Sequence, residues 1–375
     1  TPDASNQIGV DPQVVATYNT SVAVMPWRTA PGVTGIALVA VELPPNLLGN
    51  YHLTAGSPAR NAGAASKTVG ALTVNAPATD IDGNPRPSLP GFEIGADEYP
   101  VLVYLALNNN ATLPVSTGGT LAFANEDIVA FNGANYDMVF DGSDIPRVGF
   151  PAQQVLAGTR IDDFAVLSPT RILMSFIGPI PAGRLPGIPV AFGPIDDSDI
   201  VQFDATALGL NTAGTFSIYF DGSDVGLTTN SEDVNSLEVL PNGDLVISTV
   251  ANVTVPGLAG LNTGRHLLRC AGTFGETTAC TWSVYFDGTD VGLNESSNEV
   301  IDGQAIAANG DLYLSTQGNF SLPLVPPLSG ADEDIFVCRP ISLGGTTICN
   351  YLRPVFFDGS LFGLGGNDVT GIELP

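Results

Sequence analysis

From about residue 100 onward, apolar and polar residues alternate with period two, in short runs broken by Gly, Pro, Asn and Asp. Tyr136, Met138 and Phe140 form one apolar row, and Phe216, Ile218 and Phe220 a second. Trp282, Val284 and Phe286 form a third, and Arg353, Val355 and Phe357 a degenerate fourth. Each row ends on an Asp-Gly turn. The phrase Phe140-Asp141-Gly142-Ser143-Asp144 returns as Phe220-Asp221-Gly222-Ser223-Asp224, as Phe286-Asp287-Gly288-Thr289-Asp290 and, shortened, as Phe357-Asp358-Gly359-Ser360. The phenylalanines lie 80, 66 and 71 residues apart, so the region is a repeat array.

A hairpin follows the row in the best-preserved copies: Val234 to Leu240, the turn Asn242-Gly243, then Leu245 to Val250; and Gln304 to Ala307, Asn309-Gly310, then Leu312 to Ser315. The Asn-Gly pairs predict type I′ turns with both central residues at positive φ. A fourth strand then precedes the next phrase: Asp199 to Phe203, His266 to Cys270 and Asp334 to Cys338. Four strands in about 70 residues is the plan of a propeller blade. Residues 101–131 carry only third and fourth strands, and residues 353–375 only first and second ones. Joined, the two half blades complete a ring with blades 136–203, 215–270 and 281–338, which removes exposed sheet edges. The expected fold is all-β: a module over residues 1–99, then a four-bladed β-propeller-like repeat domain over 100–375, closed by strands from both ends. No window shows a capped helical period, and 43 Gly and 29 Pro suit many tight connections.

The first module reads differently. Asp11-Pro12-Gln13, then Tyr51-His52-Leu53-Thr54-Ala55-Gly56-Ser57-Pro58-Ala59-Arg60-Asn61-Ala62-Gly63, then Thr79-Asp80-Ile81-Asp82-Gly83-Asn84-Pro85-Arg86-Pro87, and Glu93-Ile94-Gly95-Ala96-Asp97-Glu98-Tyr99 follow in fixed order. Together these phrases resemble the C-terminal end of bacterial surface right-handed parallel β-helix proteins, the pectate-lyase-like group. Arg60 stands where such a phrase carries an apolar residue. The resemblance implies a cap-like module without the catalytic coils, so lyase activity is not carried over. The phrase repeated after residue 100 resembles uncharacterised secreted bacterial repeats, which implies no activity. A lone β-helix end exposes strand edges and apolar side chains, so self-association, a homo-oligomer or polymer, is expected to cover it.

Charge narrows the partners. Thirty-eight acidic residues against 12 basic ones give a net charge of -26, and Lys67 is the single lysine. Nucleic acid and anionic membrane surfaces are therefore not expected as partners, and no apolar run is long enough for a membrane span. Thr1 does not open a signal segment, which reads as a mature or excised fragment. Cys270 with Cys280 and Cys338 with Cys349 fall at equivalent repeat positions, where another copy carries Phe203 and Gly214. Two local disulfides stapling blade-to-blade connections are expected, and with them an oxidising, extracellular compartment.

No nucleophile, metalloprotease, P-loop or dinucleotide motif is present, and the two histidines, His52 and His266, lie apart in the sequence with structural roles expected. Asp141, Asp144, Asp221, Asp224, Asp287 and Asp290 offer hard oxygen ligands that suit calcium, or else plain turn hydrogen bonds. Asp80, Asp82 and Asn84 alternate like a calcium loop without its distal Glu. Acidic neighbours such as Asp162-Asp163 and Asp196-Asp197 read as solvated loops. Asn19, Asn110, Asn252, Asn294 and Asn319 head N-glycosylation sequons. The expected function is a non-catalytic structural subunit of a bacterial surface filament or layer; the alternative is an adhesin module that binds glycan or protein through the propeller face. The segment Val14 to Val24 is read either as a strand for a neighbour's sheet edge or as a last β-helix coil.

Overall fold

The alternating segments pair into four antiparallel four-stranded sheets in a computed structural model of the chain. It describes residues 11–16, 50–54, 57–60, 62–69, 71–82, 86, 92–98, 102–260, 262–294 and 297–375. Two compact units emerge, Thr1–Pro100 and Val101–Pro375.

In the second unit the first blade comprises Ile161–Ser168, Arg171–Phe176, Ile200–Ala207 and Ala213–Phe220. The second comprises Val234–Val239, Leu245–Thr249, His266–Thr273 and Ala279–Asp287; the third, Ile301–Ile306, Leu312–Thr316, Phe336–Ser342 and Ile348–Tyr351. The closing blade takes its inner strand, Val369–Glu373, from the chain's end and the other three, Val103–Leu107, Ile128–Phe131 and Tyr136–Phe140, from the unit's start. The four inner strands, each the first of its blade, touch in a ring. This is a four-bladed propeller whose last blade is closed by both termini of the unit.

The sheets are offset by one strand from the repeat units read in the sequence. The Phe row is the outermost strand of the preceding blade, so the sheets span 161–220, 234–287 and 301–351, and not 136–203, 215–270 and 281–338. The cause is local. A short hairpin turns Ile200–Ala207 directly into Ala213–Phe220, whereas the Asp-Gly turn after Phe220 carries the chain across to the next blade. The two half blades are also corrected: the C-terminal one supplies a single strand, because Arg353 to Phe357 forms no strand beyond a bridge from Phe357 to Ile335.

Both disulfides form as paired in the sequence, Cys270 to Cys280 and Cys338 to Cys349. Each joins the third and outermost strands of one blade, so they staple within blades and not between them. At the equivalent place in the first blade, a Cβ on Gly214 would stand 2.5 Å from the Phe203 ring, so an aromatic ring over glycine fills the space there. Each disulfide closes a loop of about a dozen residues, and its removal is expected to lower stability by roughly 2–3 kcal/mol. Calorimetry of a Cys270→Ser/Cys280→Ser double variant against the parent checks this, and an unchanged Tm would contradict it.

Blade faces pack on each other through Phe131, Tyr136 and Phe357; through Phe220, Leu237 and Trp282; and through Phe286, Leu314 and Phe336, all buried. Each such side chain contributes about 1.5–3 kcal/mol. The two Asn-Gly hairpins exist, but not as type I′ turns. Gly243 and Gly310 have φ near 89° and 86°, while among the described residues Gln13 is the single non-glycine at positive φ. Pro241 fixes a negative φ at the turn's start, so the glycine occupies the left-handed position that follows a type I turn.

In the first unit, the described strands form two antiparallel ribbons: Val14–Ala16 with Asn50–Leu53, and Ser66–Val69 with Leu72–Asn75. The parallel coil implied by the β-helix resemblance is not shown among the described residues. Instead the quoted phrases lock onto one another: Arg86 pairs with Glu98 at 2.7 Å and donates to the carbonyls of Glu93 and Gly95. Val14 to Ala16 pairs within this unit, and the rest of the segment to Val24 lies outside the described residues.

Candidate functional site

An inner strand pairs on one side only, and its other edge turns its N–H and C=O groups toward the propeller axis, where each needs a partner. Acidic side chains on those strands supply acceptors. Asp163, in the first blade, accepts from Phe164 N at 2.7 Å, from Leu237 N of the second blade at 2.7 Å and from Ile372 N of the closing blade at 3.3 Å. Glu238 of the second blade accepts from Ile306 N of the third at 3.1 Å, and Glu373 of the closing blade from Val166 N of the first at 2.7 Å. Hydroxyls and an amide serve the carbonyls. Asn235 Nδ2 and Ser248 Oγ donate to the Ile301 carbonyl at 2.8 and 2.7 Å, and Ser315 Oγ and Thr370 Oγ1 to those of Val369 and Ile161 at 2.8 and 3.1 Å. These buried acids therefore hold the ring together. The reading of Asp162-Asp163 as a solvated loop is corrected, because both lie buried on an inner strand.

The end of the axis where the inner strands begin differs. Arg160, Asp233, Val300 and Asp368 precede the four strands. Asn125, Asp197, Gly264 and Asp332, each in the preceding blade, accept through their carbonyls from the first inner-strand N–H at 3.0–3.1 Å. One junction carries the paired acids Asp197 and Asp233, and at the opposite one Asp368 pairs with Asp302 while Asp332 stands near it. A third carries Arg160, whose guanidinium bonds Asp162 at 2.6 Å. Asp302, fully buried on the third blade's inner strand, meets Asp368 and accepts from Ser315 Oγ at 2.9 Å. Buried oxygens of Asp233, Asp302 and Asp368 have no hydrogen-bond donor.

Burial, and then neighbouring carboxylates, push these groups up: Asp233 to about 7 and Asp302 well above the ordinary range. Burial likewise raises Asp368 to about 7 and Asp162 to about 6, although Arg160 opposes it for both. Two carboxyls in contact cannot both ionise without a counter-charge, so Asp197 with Asp233 and Asp302 with Asp368 each hold a proton or a cation. These groups make that end of the axis, its mouth, acidic.

The six Asp-Gly turn carboxylates sit elsewhere, at three blade junctions. Asp141 accepts from Ser143, Asp221 from Ser223 and Asp287 from Thr289, each capping its own turn. Asp144, Asp224 and Asp290 reach the next blade and accept from Thr212 N, Thr278 N and Thr347 N at 2.7, 2.8 and 3.0 Å. The threonine hydroxyls take the N–H of Asp141, Asp221 and Asp287, each at 2.9 Å. The repeat phrase is a latch between consecutive blades, and its carboxylates have protein partners. Asp127, Asp199 and Asp334 support three of these turns from behind by accepting from Gly142, Gly222 and Gly359. His266 occupies the fourth such position, 3.1 Å from Asp287, and burial lowers its pKa. Asn110, Asn252, Asn294 and Asn319 are exposed; Asn19 lies outside the described residues, as does Asn84.

The axial acids escaped the sequence reading because each inner strand contributes a different acid at a different register. Aligning Ile161, Val234, Ile301 and Val369 brings them into one ring.

No protein-family model matches the chain, and no curated protein does. Among solved structures it is similar to the extracellular domain of a putative one component system from B. thetaiotaomicron, at 12% identity and a TM-score of 0.28, over 72% of this chain and 36% of that one. A crystal structure described as the extracellular domain of a putative hybrid two component system from the same organism gives 13%, 0.26, 72% and 35%. The chain spans about a third of the length of these structures. Among the described residues no helix is long and apolar enough to cross a membrane. The two disulfides fit an oxidising, extracellular setting.

Proposed function

We propose that the chain is a non-catalytic extracellular binding module of adhesin type, whose propeller face at the inner-strand starts takes a lysine or arginine side chain from a protein partner. The carrying observation is the acid cluster at the inner-strand starts, where Asp233 meets Asp197 and Asp302 meets Asp368 through buried oxygens, with Arg160 as the cation near them. The Arg160 to Asp162 pair is an internal example of the same recognition, a guanidinium seated among buried carboxylates. Paired acids on opposite junctions suit a ligand with extended or forked donors better than one small ion.

A basic peptide immobilised on a sensor surface tests this. Binding is expected to be salt-sensitive and to weaken at least tenfold in an Asp233→Asn/Asp368→Asn double variant, as loss of close charge pairs does. Because the ligand displaces protons from the acid pairs, affinity should rise from pH 6 to pH 8. Equal binding by parent and variant would refute the assignment, as would a mouth occupied by Ca²⁺ alone.

A second reading, a structural subunit of a surface filament or layer, is favoured by one feature of the first unit. The strand Leu72–Asn75 is exposed along its whole length, with Leu72 65% and Val74 57% accessible. An isolated two-stranded ribbon is marginal in water and gains by pairing with a neighbour. Sedimentation that finds concentration-dependent polymers, abolished by Leu72→Lys/Val74→Lys, would favour this reading over the first.

A further inference from the structure

The first unit gathers three side chains that the sequence separates. His52 stands on the strand Asn50–Leu53, Asp82 ends the Asp-Ile-Asp phrase, and Asp97 lies in the Gly-Ala-Asp-Glu phrase. His52 Nε2 is 2.5 Å from Asp82 Oδ2 and 3.9 Å from Asp97 Oδ1, and the three ligand-type atoms all lie within 4.8 Å of one another. His52, isolated in the sequence, thus meets two carboxylates in the fold.

An acidic neighbour of a histidine is by itself only an ion pair, but Asp97 adds a separate observation. It is 4% exposed, one of its oxygens accepts from Leu53 N at 2.7 Å, and the other, Oδ1, is buried, faces His52 and has no hydrogen-bond donor. A buried carboxylate oxygen without a partner is costly to retain, and an ion at that point would satisfy it. The surroundings also hold the candidate ligands in place. Asp80 accepts from Asp82 N at 2.8 Å and from Glu98 N at 3.3 Å, fixing the two chain segments that carry the carboxylates, as outer partners of metal ligands do.

We propose that His52, Asp82 and Asp97 bind a divalent transition-metal ion of the zinc class. One imidazole with two carboxylates is a nitrogen and oxygen set that suits zinc, whereas calcium takes oxygen ligands alone. Three protein ligands leave a fourth position for water, and His52 and Asp82 are each nearly half exposed, so an ion can enter from solvent. Metal bonds of about 2.0–2.2 Å place ligand atoms some 3.3–3.6 Å apart, so His52 and Asp82 would separate slightly and Asp97 approach. The ion would tie together positions 52, 82 and 97.

Calorimetric titration of the full chain with ZnCl₂, and separately with CaCl₂, tests the site. One Zn²⁺ per chain is expected, bound more tightly than Ca²⁺, with affinity reduced at least about tenfold in His52→Gln and in Asp97→Asn. An Asp311→Asn control in the propeller should bind as the parent does. X-ray absorption at the zinc edge of the loaded parent chain should show imidazole in the first shell, a readout that does not depend on the variants folding. No stoichiometric zinc, a shell of oxygen alone, or undiminished binding in both variants would overturn the proposal.

Discussion

Deleting Val369 to Pro375 is expected to abolish cooperative folding of the propeller. The segment is the inner strand of the closing blade, paired with Val103–Leu107 in the register Val369 to Leu107 and Ile372 to Leu105. Without it the ring opens. Val103, Leu105 and Leu107, all buried, would face water along a free strand edge. Val369 and Ile372 leave the core, together with the Thr370 hydroxyl that caps the Ile161 carbonyl and the Ile372 N–H that Asp163 accepts. Three apolar residues exposed and two lost from the core, at about 1.5–3 kcal/mol each, are comparable to the 5–15 kcal/mol by which a domain is ordinarily stable. Loss of a single sharp calorimetric transition, with aggregation through the open edge, is the expected result. Adding a peptide of residues 366–375 in excess should restore it. A truncated chain that melts as the parent does would show that this strand does not close the ring.

That closure was legible because it follows from counting. The repeats left two strands unmatched at each end, which together make one blade; the ring does close there, with one strand from the C-terminal end and three from the N-terminal one. The blade register was not legible, because the strand Ala213–Phe220 has a strand on either side of it along the chain and only hairpin pairing says which of them it joins. The cysteines show the same limit. Cys270 and Cys280 could be paired from their repeat position, but whether they span one blade or two depends on that register. The Asp-Gly-Ser-Asp phrase was recognised as a turn, whereas its partner threonines, Thr212, Thr278 and Thr347, stand 54 to 68 residues from the aspartates they meet. Nothing local links them. The cluster at His52 was hidden for the same reason, since its three side chains lie in three phrases that look complete in themselves.

The buried acids, at the axis and behind the turns, make the second large prediction, a stability that falls as pH rises through neutrality. Burial holds Asp162 and Asp199 at about 6, and Asp127, Asp233, Glu238 and Asp368 at about 7, with Asp163, Asp302 and Glu373 raised further by the same cause. In the unfolded chain these groups titrate near 4. Between about pH 4 and 7 the folded state therefore binds more protons than the unfolded one, so raising the pH favours unfolding. The contribution is fully present below the unfolded values and is lost as each folded value is passed. Asp287, held low despite burial by its hydrogen bond from Thr289, and Asp311, held low by Arg339, act in the opposite sense and set only the acid limb, below about pH 4. The melting temperature should accordingly be higher at pH 5 than at pH 8, by about 5 °C or more for a domain of this size. Asp302→Asn with Asp368→Asn removes two of the titrating carboxyls and should flatten the slope. Melting curves from pH 4 to 9 check this, and a temperature that climbs steadily with pH would contradict it. The same profile bears on binding: a cationic ligand seated in the mouth replaces the shared protons, so it should stabilise the propeller most at pH 8, where the unliganded ring is weakest.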